Sequence, residues 1–156
     1  MGLNYYAIKK NVRKARKLVI RSTSIAGSGH PGGSFSMAEI MGCIFFKYLR
    51  YDPKNPTWQD RDKLVLSKGH ASPGLFSNMA LAGYFDPSEL DTLRKFGSRL
   101  QGHPDLKCPG VEFCGGSLGI GLSFSIGSAL AARIDGKSTR VFTVMGDGET
   151  DEGQVW

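Results

Sequence analysis

The sequence predicts an α/β layered fold, and three observations carry that expectation. Two short runs of apolar residues, Lys63-Leu64-Val65-Leu66-Ser67 and Arg140-Val141-Phe142-Thr143-Val144-Met145, have the composition and length of strands. Each runs straight into a glycine-bearing turn. Helical patterns fill much of the remaining chain, and strands alternating with glycine turns and helices give a sheet covered by helices, with ligands gathering at the carboxyl ends of the strands.

The elements follow in order. Ile8, Val12, Ala15, Leu18 and Val19 recur at helical spacing, so residues 5–26 read as an amphipathic helix. Gly27-Ser28-Gly29-His30-Pro31-Gly32-Gly33 is too rich in Gly and Pro to continue any regular element and reads as a loop. Ser36-Met37-Ala38-Glu39 has the capping-box pattern and predicts that a second helix starts there and runs to about Leu49. The stretch from Tyr51 to Asp62, with Pro53 and Pro56, reads as a surface connection to the first strand. A helix is expected from Ser72-Pro73. Another opens at Asp86-Pro87-Ser88-Glu89, with Asp as cap and Pro at the first position, and stops at Gly97. Cys114-Gly115-Gly116-Ser117-Leu118-Gly119-Ile120-Gly121 lets backbone come close to a neighbour and leads into a helix ending near Gly136.

Composition narrows the function. The 156 residues are 40% hydrophobic and 10% aromatic, which suits one domain and excludes a disordered chain. No apolar run reaches the ~18 residues that span a bilayer, and the basic N-terminus lacks the apolar core of a secretion signal, so no membrane partner is expected. Cys43, Cys108 and Cys114 are odd in number without a CxxC pair, which points to a reducing, cytoplasmic compartment. A zinc site from His103, Cys108 and Cys114 would need a fourth ligand, and the spacing fits no common finger. The net charge of +6 is concentrated in Lys9, Lys10, Arg13, Lys14, Arg16, Lys17 and Arg21. No aromatic interleaving or reading motif accompanies them, so this face is read as solvated and nucleic acid is not expected as a partner. Gly27, Gly29 and Gly32 fit GxGxxG by spacing, but helices on both sides exclude the strand–turn–helix setting that a dinucleotide site needs.

Two features point to chemistry. In Gly146-Asp147-Gly148 a carboxylate stands at the end of a strand, flanked by glycines that bare backbone N–H groups, an arrangement suited to a divalent cation shared with a diphosphate. All three histidines sit in Gly or Pro contexts: Gly29-His30-Pro31, Gly69-His70-Ala71 and Gly102-His103-Pro104. On loops an imidazole can donate to a phosphate or hydroxyl, or move a proton near neutral pH.

Taken in order, Ser28-Gly29-His30-Pro31-Gly32, Ser67-Lys68-Gly69-His70, Gly102-His103-Pro104, Gly116-Ser117-Leu118-Gly119 and Gly146-Asp147-Gly148-Glu149-Thr150-Asp151-Glu152-Gly153 resemble the motifs of the transketolase family. The form is similar to the separate N-terminal subunit that some microbes encode. The resemblance implies a thiamine diphosphate-binding fold, three-layered with a mostly parallel sheet, of which residues 1–156 are the N-terminal part of the diphosphate domain, incomplete at its C-terminal end. It implies thiamine diphosphate and Mg²⁺ as cofactors and transfer of a two-carbon ketol unit between sugar phosphates. Asp147 matches the metal ligand, Gly146 and Gly148 approach the diphosphate, and His70 donates to it. Gly116 and Leu118 line the cofactor pocket, and Glu152 matches an acidic residue at the dimer contact beside it. His30 and His103 match the catalytic histidines that face the substrate. Implied partners are a C-terminal section with the pyrimidine-binding domain, in a homodimer or heterotetramer. The chain departs from the family in three ways: the Asn pair that completes the metal shell would fall beyond Trp156, the glutamate that activates the aminopyrimidine ring would come from another domain, and Ile120 stands where relatives usually have Gln. Deoxyxylulose-phosphate synthase, disfavoured by the acid-rich Glu149–Glu152, and a non-catalytic remnant or assembly module are the alternatives. An open sheet edge predicts self-association.

Overall fold

A computed structural model describes residues 5–156. Helix α1 (Tyr5–Ala26) buries Val12, Ala15, Val19 and Ser22 on one face, as the periodicity predicts, and ends at Gly27 in the left-handed region (φ 63°). Its basic residues face out. Arg16 pairs with Glu39 at 2.7 Å and Arg21 with Asp91 at 2.6 Å, while Lys9, Lys10, Arg13, Lys14 and Lys17 form no ion pair or side-chain hydrogen bond among the described residues.

The second helical region departs from the capping-box expectation. It begins earlier, as α2 (Pro31–Ser36), breaks at Met37, resumes as α3 (Ala38–Cys43) and finishes in a π-turn over Ile44–Tyr48. Pro31 takes the first helical position, where its fixed φ is favourable and its missing N–H costs nothing. Crowding does not demand the glycines after it: a β-carbon on Gly33 would make ordinary contacts of 3.5 Å with Ala71 and His70, and one on Gly32 would meet nothing within 4 Å. Ser36 and Glu39 cap nothing: the Ser36 hydroxyl donates to the Gly33 carbonyl and accepts from Lys68, and the Glu39 carboxylate goes to Arg16. Met37 interrupts the helix because it turns into the core, its methyl end occupying the space left by Gly74.

Strands β1 (Lys63–Leu66) and β2 (Val141–Val144) pair in parallel, Lys63 opposite Val141 and Leu66 opposite Val144. Alternation divides β1 between two layers. Leu64 and Leu66 join Met37, Met41, Phe45, Phe76 and Met79 in the main core. The opposite face is covered by α5 (Ile120–Ile134), where Lys63 Nζ donates to Ser128 Oγ at 3.0 Å and Gly121 lies against Ser67. The result is three layers: α1–α3 with a further helix, α4 (Ser72–Ala82), then the sheet, then α5.

Helix α4 (Ser72–Ala82) is buried almost throughout and closes on left-handed Gly83. A 3₁₀ turn, Gly69–Ala71, precedes it, so His70 lies on a helical turn rather than an open loop. Asp86 caps the next segment as expected, accepting from Ser88 N at 2.8 Å, but Pro87–Thr92 is a 3₁₀ turn and no helix continues to Gly97. The chain instead folds back, Arg94 N bonding to the Leu100 carbonyl at 2.8 Å and Glu89 pairing with Arg99. On α5, Ile126, Leu130 and Ile134 are 52%, 52% and 84% exposed, leaving an apolar outer face.

One carboxylate fastens the strand starts. Asp62, its side chain fully buried, accepts from Arg50 N, Nε and Nη2 and from Arg140 N, Nε and Nη2. At the other end, α5 meets β1 through Gly121, where a β-carbon would lie 2.7 Å from Ser67 Cα. Backbone on both sides has little room to yield, so Gly121→Ala is expected to cost about 1–3 kcal/mol and lower the thermal midpoint by about 2–12 °C. A melting curve unchanged within 1 °C would show that the two elements separate freely.

Candidate functional site

The carboxyl ends of β1 and β2 lie side by side, so the turns that follow them share one end of the sheet. After β1 come Ser67, Lys68 and the turn carrying His70. His30, at the N-cap of α2, meets it: the two rings are 5.3 Å apart at 67°, edge to face. Burial lowers the His70 pKa, and the charges of His30, Lys68 and His103 lower it further against the opposing pull of Glu149. His70 is therefore a neutral imidazole at neutral pH, able to donate from one nitrogen.

The third histidine arrives from the other side. A β-carbon on Gly69 would lie 2.4 Å from the Gly115 carbonyl oxygen and 3.1 Å from His103 Cδ2, so only glycine lets the 114–116 segment cross the start of this turn. Gly116 borders the same imidazole, a β-carbon there lying 3.8 Å from Cδ2. His30 and His103 are exposed and His70 is half-buried between them.

After β2 the chain enters Gly146-Asp147 and a 3₁₀ turn over Gly148–Asp151. Glu149 organises this region. Only 2% exposed, it accepts from the Ser67 hydroxyl and from Gly119 N (2.8 Å) on one oxygen, and from Gly146 N (3.0 Å) on the other. A single carboxylate thus joins the end of β1, the turn after β2 and the start of α5, where Gly119 holds φ 83° next to half-buried Leu118. Asp147 is different: it is exposed, and its carboxylate has no hydrogen bond or ion pair among the described residues. Its backbone carbonyl alone is engaged, by Thr150. Beside the turn lies Lys68, 6% exposed, its stem 3.6 Å from where a Gly146 β-carbon would stand and its Nζ donating to Ser36 Oγ at 3.0 Å. Burial lowers the Lys68 pKa, and the charges of Asp147 and then Glu149 partly restore it.

His30, His70, His103, Gly116 and Gly146 are thus brought to the strand ends with Asp147 and Gly148, and Leu118 adjoins the Gly119–Glu149 bond. Glu152 is exposed, and no side-chain hydrogen bond or ion pair ties it to this cluster. Sequence reasoning missed Lys68 and Glu149. Both carry the signal that marked His70 and Asp147, namely a charged residue within a few positions of a buried strand's carboxyl end. Cys108 is buried in the core, where burial pushes its thiol up to about 11, and among the described residues no cluster of three or more His, Cys, Asp or Glu could hold a metal by itself.

Residues 7–155 match the family model described as transketolase, thiamine diphosphate binding domain. The 6-deoxy-6-sulfo-D-fructose transketolase subunit SqwG of Clostridium sp. (strain MSTE9) is 44% identical over 142 residues, 90% of this chain and 52% of that protein. Mouse transketolase is 44% identical over 154 residues, 96% of this chain and 24% of its own length. The crystal structure of transketolase from Campylobacter jejuni superposes with a TM-score of 0.90 at 33% identity, covering 97% of this chain and 25% of that one. The chain therefore spans about half of one relative and a quarter of the others. With its three layers, parallel strands and motif order, the chain belongs to the transketolase family and carries its N-terminal, thiamine diphosphate-binding section.

Proposed function

We propose that this chain supplies the diphosphate-binding part of a transketolase that moves a two-carbon ketol unit from a ketose phosphate to an aldose phosphate. The observation that carries the reading is Asp147, a carboxylate without hydrogen bond or ion pair among the described residues, on a glycine-flanked turn at the end of β2, beside the histidine-bearing turn that follows β1. The donors fit the cofactor. A β-carbon on Gly148 would meet nothing within 4 Å, so the turn has open space on that side, and Gly146 and Gly148 can present backbone to phosphoryl oxygens. One carboxylate suits Mg²⁺, which is commonly held by one or two carboxylates together with the ligand's own phosphates and water. Asp147 is the metal ligand in this reading, and Gly116 and Leu118 line the pocket.

Once bound, thiamine diphosphate supplies the electron sink for making and breaking a carbon–carbon bond beside a carbonyl. The chain's own groups position and polarise. Neutral His70 donates a hydrogen bond to the diphosphate. Exposed His30 and His103 flank it, orient the hydroxyls of the sugar phosphate and stabilise negative charge developing on oxygen. That the Clostridium relative is named a transketolase subunit supports a partner section carrying the pyrimidine-binding domain, in a homodimer or heterotetramer, with exposed Glu152 at a subunit contact. Three free cysteines support a reducing, cytoplasmic setting.

Calorimetric titration with thiamine diphosphate and Mg²⁺, on the full chain and on its mixture with a C-terminal transketolase section, tests the proposal. Saturable heat in at least the mixture is expected, and none in either would sink it. The apolar outer face of α5 favours a second reading, a non-catalytic assembly module. That module would bind the partner section and take up no cofactor.

A further inference from the structure

Lys68 is a buried cation that the structure leaves incompletely satisfied. An ammonium has three donors, and this one has a single acceptor among the described residues, the Ser36 hydroxyl at 3.0 Å. None of the ion pairs among those residues includes it. The nearby Glu149 carboxylate is already occupied by Ser67, Gly119 and Gly146, and Asp147 is exposed. Asp147 and Glu149 act on the ammonium only through space, and burying a charge with one neutral hydrogen-bond acceptor is costly unless an anion bonds to it directly. The lysine stem also runs along Gly146, on the turn proposed to meet the diphosphate.

Building on the proposed function, we infer that Lys68 is a resident counter-cation for the diphosphate, held by Ser36 so that its remaining N–H donors go to phosphoryl oxygens. The sequence resemblance assigns no role to this position, and the geometry gives it a distinct one. Asp147 acts through a metal, whereas Lys68 adds a fixed positive charge that the chain carries even without one. A diphosphate brings more negative charge than one divalent cation offsets, and a partly buried ammonium at that turn balances part of the remainder.

The test uses the full chain, with the C-terminal section added if the chain alone binds nothing, and two probes, thiamine diphosphate and inorganic pyrophosphate, each with Mg²⁺. Lys68→Met is expected to weaken both by at least ~30-fold in calorimetry, because removing one member of a buried charge pair strands the other. Without ligand, its thermal midpoint is expected to equal or exceed that of the unaltered chain, since a poorly satisfied buried charge has gone. Lys68→Gln guards against a misfolded Met variant and is expected to lose at least ~10-fold. Retention of both probes within threefold in either folded variant overturns the inference and leaves the proposed function standing. Lower ligand-free midpoints in both variants assign Lys68 to holding the fold and also overturn it. If the unaltered protein takes up neither probe in either format, the proposed function fails and the inference with it.

Discussion

Replacing Asp147 by Ala is expected to leave the fold intact and to weaken Mg²⁺-dependent uptake of thiamine diphosphate by about 100-fold or more. The first half follows from what Asp147 does not touch. Its carboxylate is exposed and makes no hydrogen bond or ion pair among the described residues, while the turn is held by the Asp147 carbonyl with Thr150 and by Glu149, all of which the substitution retains. The second half follows from donor count. Among the described residues no cluster of three or more metal-ligating side chains exists, so at this turn they offer a metal one carboxylate beside the diphosphate. Loss of groups that merely orient metal ligands costs ~10–100-fold in affinity, and a direct ligand should cost at least as much. The measurement is calorimetry at saturating and at zero Mg²⁺, with the partner section present. The variant should approach the weak, metal-independent binding of the unaltered protein. Unchanged uptake at saturating Mg²⁺ would remove Asp147 from the site.

The contrast between Asp147 and Glu149 shows what a sequence can and cannot disclose. Both acids follow the same strand two residues apart, and a carboxylate between two glycines was legible at once. Glu149 looked like one acid in a polar run. Its burial depends on donors from Ser67 and Gly119, 82 and 30 positions away, which meet only after β1, β2 and α5 have packed. The strands and α5 were legible because each declares itself locally, through β-rich runs and small apolar residues after a glycine. The capping box misled for the opposite reason: Ser36 and Glu39 found stronger partners in Lys68 and Arg16, from elements that local spacing does not reveal. Likewise the histidines were conspicuous beside glycine and proline, but the 5.3 Å approach of His30 to His70 is a product of α2 packing on the turn before α4.

Asp62→Ala is expected to be the most destabilising single change among these, by about 3 kcal/mol, lowering the thermal midpoint by about 6–12 °C. Its carboxylate is fully buried and takes donors from two backbone amides and two guanidinium groups, tying the chain before β1 to the start of β2. Removing it leaves two positive charges side by side and both amides without their acceptor. Arg50 and Arg140 are 43% and 49% exposed, so water relieves part of the loss and the cost falls at the lower end of the ~3–5 kcal/mol range for a broken buried pair. The pH dependence provides a second check. Burial alone would raise this carboxyl, but hydrogen bonds from Arg140 and Arg50 outweigh it and hold the group well below the usual carboxylate range. A folded-state pKa depressed in this way contributes stability in full above the unfolded value of about 3.9, and loses it as pH falls toward the folded value. Urea denaturation should therefore show a constant gap between the two proteins from about pH 5 to 8 that narrows below about pH 4. A gap under about 1 kcal/mol at pH 7, or one that widens in acid, would mean that the strand starts are held by the β1–β2 ladder and its flanking core, with the arginines only decorating the surface.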